Sequence, residues 1–146
     1  MARIAGAAFA ASLILTVAGC GTDEVVVPVD EGTHVSGTRS GTATIALGKR
    51  LVVDLGNQNS SIGDGWFLVT PPDPAVLADE GDHYDSDCDK PGCGADMTWH
   101  FATVGAGTAE LTLRYCYRSR PPGCEPMPGR GPADPVTLTV TVTPAS

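Results

Sequence analysis

The sequence is poor in the features that most often announce a chemistry. Only 5% of its 146 residues are aromatic, and nine Lys and Arg face seventeen Asp and Glu, for a formal net charge of −8. Such a chain has no basic surface to neutralise phosphates, so nucleic acid is excluded as a principal partner. It contains no Gly-x-Ser-x-Gly, no phosphate-binding loop and no His-Glu-x-x-His. Its three histidines are scattered: His34 near the N-terminal segment, His83 in an acidic stretch, and His100 between Trp99 and Phe101. Strand alternation turns His100 away from both rings and makes it a solvated strand histidine, not a general base. No catalytic set emerges, so the chain is read as a non-enzyme without a cofactor. The length allows one domain, and no window shows a 3.6-residue apolar stripe.

The N-terminus carries the strongest local signal. Residues 1–19 read as a lipoprotein signal peptide: Arg3, then an apolar run from Ile4 to Val17 that is shorter than the roughly 20 residues of a membrane-spanning helix. It ends in Val17-Ala18-Gly19-Cys20, which resembles a bacterial lipobox. Small residues fit the peptidase pocket, and the Cys20 thiol is the nucleophile that takes the lipid. Cys20 is therefore expected to be the acylated first residue of the mature chain, held in a membrane of the bacterial cell envelope and facing outside the cytoplasm. Loss of Arg3 takes the formal charge to −9, so acyl chains and not anionic headgroups would hold it. Residues 20–32 are read as a tether, with a short strand at Val25–Val29, and residues 33–146 as the domain.

Setting Cys20 aside leaves Cys88, Cys93, Cys116 and Cys124. An even number outside the cytoplasm favours two disulfides, with three connectivities open. The local one, Cys88–Cys93 and Cys116–Cys124, is preferred because each pair brackets a Pro-Gly turn. The spacings match no common zinc pattern.

From Thr42 onward, apolar residues recur with a period of two. Strands are expected at Thr42–Ala46, Arg50–Leu55, Trp66–Thr70, Met97–Thr103, Ala109–Tyr117 and Val136–Thr143, the first two joined as a hairpin at Gly48. Pro71-Pro72-Asp73-Pro74 forbids a helix over Ala75–Glu80 beyond a single turn. The pattern predicts an all-β chain, an antiparallel immunoglobulin-like sandwich of about seven strands, expected to be monomeric. Trp66 and Trp99 are assigned to its core.

Asp79, Glu80, Asp82, Asp85, Asp87 and Asp89 crowd one stretch, read first as a solvated acidic loop. Asp85, Asp87 and Asp89 also occupy positions 1, 3 and 5 of a calcium-loop pattern, with Asp96 at position 12. Lys90 stands where that pattern needs Gly, so no metal is assigned and calcium is kept as a secondary candidate.

Three segments, set in this strand order, resemble the chagasin-like cysteine-peptidase inhibitors. Gly56-Asn57-Gln58-Asn59-Ser60-Ser61-Ile62-Gly63-Asp64-Gly65-Trp66 is similar to that family's first loop, through Asn59, the hydroxyls of Ser60 and Ser61, and Gly63. Gly92-Cys93-Gly94-Ala95-Asp96-Met97-Thr98-Trp99 resembles its Gly-rich second loop, through Gly92 and Gly94. Tyr115-Cys116-Tyr117-Arg118-Ser119-Arg120-Pro121 resembles its third, keeping Arg-Pro and lacking the Trp that follows in the family. The resemblance implies a reversible inhibitor whose partner is a papain-like cysteine peptidase. Its three loops would form one wedge at an end of the sandwich, with Ser60 and Ser61 toward the catalytic centre, Arg120 and Pro121 toward the cleft wall, and Arg118 in the same binding loop. The alternative is an envelope scaffold module that keeps the sandwich without inhibiting.

Overall fold

The computed structural model describes residues 32–146. The signal segment, Cys20, the Val25–Val29 strand and nearly all of the 20–32 tether lie outside the described residues. Eight strands follow in order: β1 (Thr33–Ser36), β2 (Gly41–Ala46), β3 (Arg50–Gln58), β4 (Asp64–Thr70), β5 (Leu77–Asp85), β6 (Ala95–Thr103), β7 (Gly107–Tyr117) and β8 (Val136–Thr143). They form two four-stranded sheets, β1-β3-β6-β5 and β2-β8-β7-β4. The expected all-β sandwich is the observed architecture.

The period-two pattern explains the core. Leu111, Leu113 and Tyr115 of β7 and Val136, Leu138, Val140 and Val142 of β8 point inward from one sheet. Leu51, Val53 and Leu55 of β3 and Met97 and Phe101 of β6 meet them from the other. Most of these side chains are fully buried, and truncating one such Leu typically costs about 2–5 kcal/mol. Thr112, Thr137, Thr108 and Thr141 face outward, where they approach one another in cross-strand pairs.

Three expectations are corrected. The Gly48 turn is not a hairpin, because β2 and β3 belong to different sheets. Ile45 and Leu51 must both reach the common core, so the chain crosses between layers at Gly48. The Gly48 amide and the Lys49 carbonyl are both held by the Thr103 hydroxyl. Second, the sandwich is not wholly antiparallel: β1 runs parallel to β3, and β2 parallel to β8. The first chain segment divides between two sheets, pairing at the edge of each. Its crossing passes Gly37, where a Cβ would stand 2.4 Å from Val53 Cγ1 and 2.7 Å from Leu55 Cδ2.

Third, the acidic stretch is a strand from Asp79 to Asp85, and only Asp87 and Asp89 lie in the loop that follows. β5 pairs with β6 from Leu77 to Asp85, with a bulge between Asp79 and Gly81. It lies at a sheet edge, so it needs few apolar residues, and its carboxylates discourage pairing with another chain. Leu77 is the residue it commits to the core at 1% exposure. Its entry is a turn in which Asp73 accepts from the amides of Ala75, Val76 and Leu77.

Gly37→Val is expected to lower stability by about 1–3 kcal/mol through overpacking, read as a lower urea midpoint. Gly41→Ala, with nothing within 4 Å of the new methyl, should shift the midpoint by less than about 0.5 kcal/mol. Equal effects would show that the crossing at Gly37 is not tight.

Candidate functional site: three loops joined at one end

The segment between β3 and β4 closes on itself. Ser60–Ile62 form one 3-10 turn, capped by Asn59 and ended by Gly63 in the left-handed conformation, φ 88°. The Asn59 carboxamide oxygen accepts from the Ser61 amide at 3.1 Å, and the Asn59 carbonyl accepts from the Ile62 amide. Ser60 and Ser61 are exposed at the tip. Asn is favoured at such a cap because its short acceptor satisfies an otherwise unpaired amide.

Both other loops are fastened to this turn. Asn59 Nδ2 donates to the Gly92 carbonyl at 2.9 Å, joining the first loop to the second. Asn57 Nδ2 donates to Asp96 at 3.2 Å, and Gly94 makes room for it: a Cβ there would lie 2.0 Å from Asn57 Oδ1. The third loop follows β7. The Arg118 amide donates to the Gly63 carbonyl at 2.9 Å, and Arg118 Nε donates to the Ile62 carbonyl at 3.3 Å. Arg118 holds a left-handed backbone, φ 50°, a conformation a non-glycine residue keeps only where its surroundings enforce it. A Cβ at Gly63 would meet Arg118 Cγ at 2.8 Å. Two disulfides close the second and third loops, Cys88–Cys93 and Cys116–Cys124, in the preferred local pairing.

Beneath the loops lies a polar anchor that the sequence did not reveal. Asp64, the first residue of β4, has a side chain 1% exposed, and Arg130 from the third loop's return segment pairs with it at 2.6 Å. The buried Tyr115 hydroxyl also donates to Asp64. Gly131 packs so closely on Tyr115 that a Cβ would stand 2.4 Å from its ring. The phenol is pushed up to about 12, chiefly by burial and then by donation to the Asp64 carboxylate, with Arg130 opposing. These partners stand 51 and 66 positions from Asp64, and no local pattern marks them.

Ser60, Gly63, Arg118 and Arg120 share a groove of about 520 Å³ with Phe67, Tyr84 and Trp99. Its floor runs between the edge strands of the two sheets. Trp66 is core at 3% exposure. Trp99 is only part core: it packs against the cluster and donates its indole N–H to Asp79 at 2.6 Å. The Arg120 guanidinium lies 5.7 Å from the Phe67 ring centroid, and Arg118 lies 5.2 Å from that of Tyr117. Thus Asn59, Ser60, Ser61, Gly63, Gly92, Gly94, Arg118 and Arg120 are brought to one end, whereas Pro121 lines a separate cavity on the outer sheet face.

The calcium-loop pattern falls across a strand pair. Asp85 and Asp96 are opposed residues on adjacent antiparallel strands, so the twelve-residue stretch is a disulfide-closed hairpin connection. Asp85, Asp87 and Asp96 border a cavity of about 250 Å³ without Asp89. Among the described residues no three His, Cys, Asp or Glu converge as a metal site. The histidines share the exposed face of the β1-β3-β6-β5 sheet instead. His34 pairs with Asp54 at 3.0 Å, while His100 stacks on His83 with centroids 3.9 Å apart. Burial and then His83 hold the His100 pKa below its ordinary value.

The sandwich thus carries three mutually fastened loops at one end. Residues 44–140 match the family described as chagasin family peptidase inhibitor I42. The chain belongs to that family, whose members are inhibitors and not enzymes. Amebosin, known from a solution structure, is 21% identical with a TM-score of 0.53, covering 75% of this chain and 96% of that one. The cysteine protease inhibitor EhICP2 from Entamoeba histolytica is 18% identical with a TM-score of 0.52, covering 75% of this chain and 93% of that one. At these identities the two structures speak for the fold. No curated protein matches the sequence significantly.

The anchor gives the protein an alkaline limit. A phenol titrating at about 12 in the fold and near 10 when unfolded contributes stability that is complete below pH 10. That contribution is lost as pH rises from 10 to 12. Tyr115→Phe should be less stable at neutral pH and lose less across that window, measured by denaturation at a series of pH values. Parallel loss in both proteins would place the alkaline transition elsewhere.

Proposed function

We propose that the chain is a reversible inhibitor of papain-like cysteine peptidases that seats its three-loop end in the active-site cleft. The observation carrying this reading is the set of bonds from Asn59 to Gly92 and from Arg118 to Gly63 and Ile62, in a chain of the chagasin family. A wedge whose loops are already joined loses little conformational freedom on docking, so more of its contact energy is realised as affinity. The first loop also resists cleavage by its shape. A peptidase acts on an extended segment, whereas Ser60–Ile62 are wound into a turn closed by the Gly63 amide on the Ser60 carbonyl at 3.1 Å. Ser60 and Ser61 then fill the space before the catalytic thiolate, with Gly92 and Gly94 on one side and Arg118 and Arg120 on the other. The family's Trp is missing, and Phe67 capped by the Arg120 guanidinium supplies an aromatic–cationic face in that region.

We further propose that Cys20 is acylated and tethers the domain at the envelope surface. The support is the Val17-Ala18-Gly19-Cys20 sequence and the presence of two disulfides, which belong to oxidising compartments.

The test is titration of the full chain against papain. Saturable, active-site-competitive inhibition is expected. Ser60→Arg should weaken it at least about tenfold, or ~1.4 kcal/mol, with unchanged circular dichroism. Asn59→Ala should weaken it by a similar factor by loosening the first loop from the second. No inhibition at micromolar protein, or full potency in both variants, would sink the wedge. For the anchor, radiolabelled palmitate should enter the wild-type chain in a bacterial host and not Cys20→Ala; absence of label from both would refute acylation.

A further inference from the structure

On the outer face of the β4–β7 pair, Leu68, Val69, Arg114, Pro121, Pro122 and Pro135 line a cavity of about 480 Å³. Arg114 is placed there by strand alternation. Leu113 and Tyr115 on either side are buried in the core, so Arg114 projects outward. Its Nε is shielded from solvent and donates to no acceptor among the described residues. Among the described residues the other arginine ion pairs lie elsewhere: Arg130 takes Asp64, and Arg50 takes Glu80 on the other sheet. A half-buried guanidinium with an unmet donor is unfavourable unless something supplies the acceptor.

The surroundings define what that is. Phe67 stands directly opposite Arg114 in the β4–β7 register, and its ring also lies near the Arg120 guanidinium, 5.7 Å away. Arg114, Arg118 and Arg120 are three of only nine Lys and Arg in the sequence, carried by β7 and the loop that follows it in an otherwise acidic chain. The remaining walls are aliphatic or proline. They suit a carboxylate carried on a short apolar stem, whose oxygens the Arg114 guanidinium would receive.

We propose that this cavity is an accessory subsite that receives an Asp or Glu side chain of the bound peptidase, from the surface beside its active-site cleft. Arg114 is the residue that recognises it and so determines which peptidases are held longest. The inference rests on the inhibitor reading above. Chain continuity gives the occupant: Pro121 and Pro122 directly follow Arg120 of the groove, so a peptidase gripping Arg120 would bring its neighbouring surface toward the cavity. The charge of the patch selects an acidic side chain from that surface.

Two measurements on the full chain test the subsite. In the first, the Arg114 Nε–Hε resonance is followed by NMR while Nα-acetyl-glutamate amide, and separately Nα-acetyl-glutamine amide, is added to millimolar concentration. The carboxylate probe should shift the resonance and the neutral isostere should not; equal shifts, or none, overturn the proposal without any substitution. In the second, papain inhibition is compared for wild type, Arg114→Gln and Arg114→Lys at low and high salt. Arg114→Gln should raise the inhibition constant about tenfold and flatten its salt dependence, and Arg114→Lys should recover part of both. A wild type that inhibits papain with Arg114→Gln equally potent removes the subsite and leaves the inhibitor reading intact. A wild type that does not inhibit removes that reading and the peptidase as the source of the carboxylate.

Discussion

The loop end depends on one close approach, that of Gly63 to Arg118. Their backbones come within hydrogen-bonding distance, 2.9 Å from amide to carbonyl, because Gly63 has no Cβ and Arg118 accepts a left-handed backbone. From this contact the first loop inherits its orientation and the third its origin. Asn59 carries the constraint across to the second loop through the Gly92 carbonyl. The disulfides tighten loops that are already joined and do not by themselves aim them. Directly below, Asp64 receives Tyr115 and Arg130, so the same strand start that leaves the first loop holds the return of the third.

The two sheets contribute unequally to this end. β3 and β6 are central in one sheet, and β7 and β8 in the other, and they carry the core. The edge strands β4 and β5 are freer to serve function. β5 keeps Leu77 in the core and otherwise presents carboxylates and Tyr84, which is 51% exposed. Together with Phe67 of β4, it forms the side of the groove that opens beside Ser60 and Arg118. Negative charge thus gathers on one flank of the loop end and arginines on the other, so a docking partner meets a polarised surface.

Much of the domain was legible because its determinants are local. Strict alternation in Leu111–Tyr117 and Val136–Thr143 named two strands and their buried faces. The Pro-Gly segments between neighbouring cysteines favoured the local pairing that both disulfides adopt, and the order of loop residues indicated the family. Failures occurred where a local signal had two tertiary outcomes. A glycine between two β-rich runs serves a hairpin or a crossing between sheets equally well, and at Gly48 only the shared core decides. An acidic run reads as a loop unless a neighbour supplies the pairing and burial its own residues lack, as β6 does for β5.

The sequence by itself determined the class of the fold through its periodicity and favoured the local cysteine pairing through turn chemistry and short spacing, while the loop residues were named by their resemblance to the family. The tertiary structure alone decided which loops touch, which strand faces which layer, and which charges are paired. Those outcomes depend on contacts between residues tens of positions apart. Asp64 finds Arg130 and the Arg114 Nε finds no acceptor among the described residues, although nothing in the sequence around either residue distinguishes them, because each position's burial and acceptors are set by the packing of the two sheets.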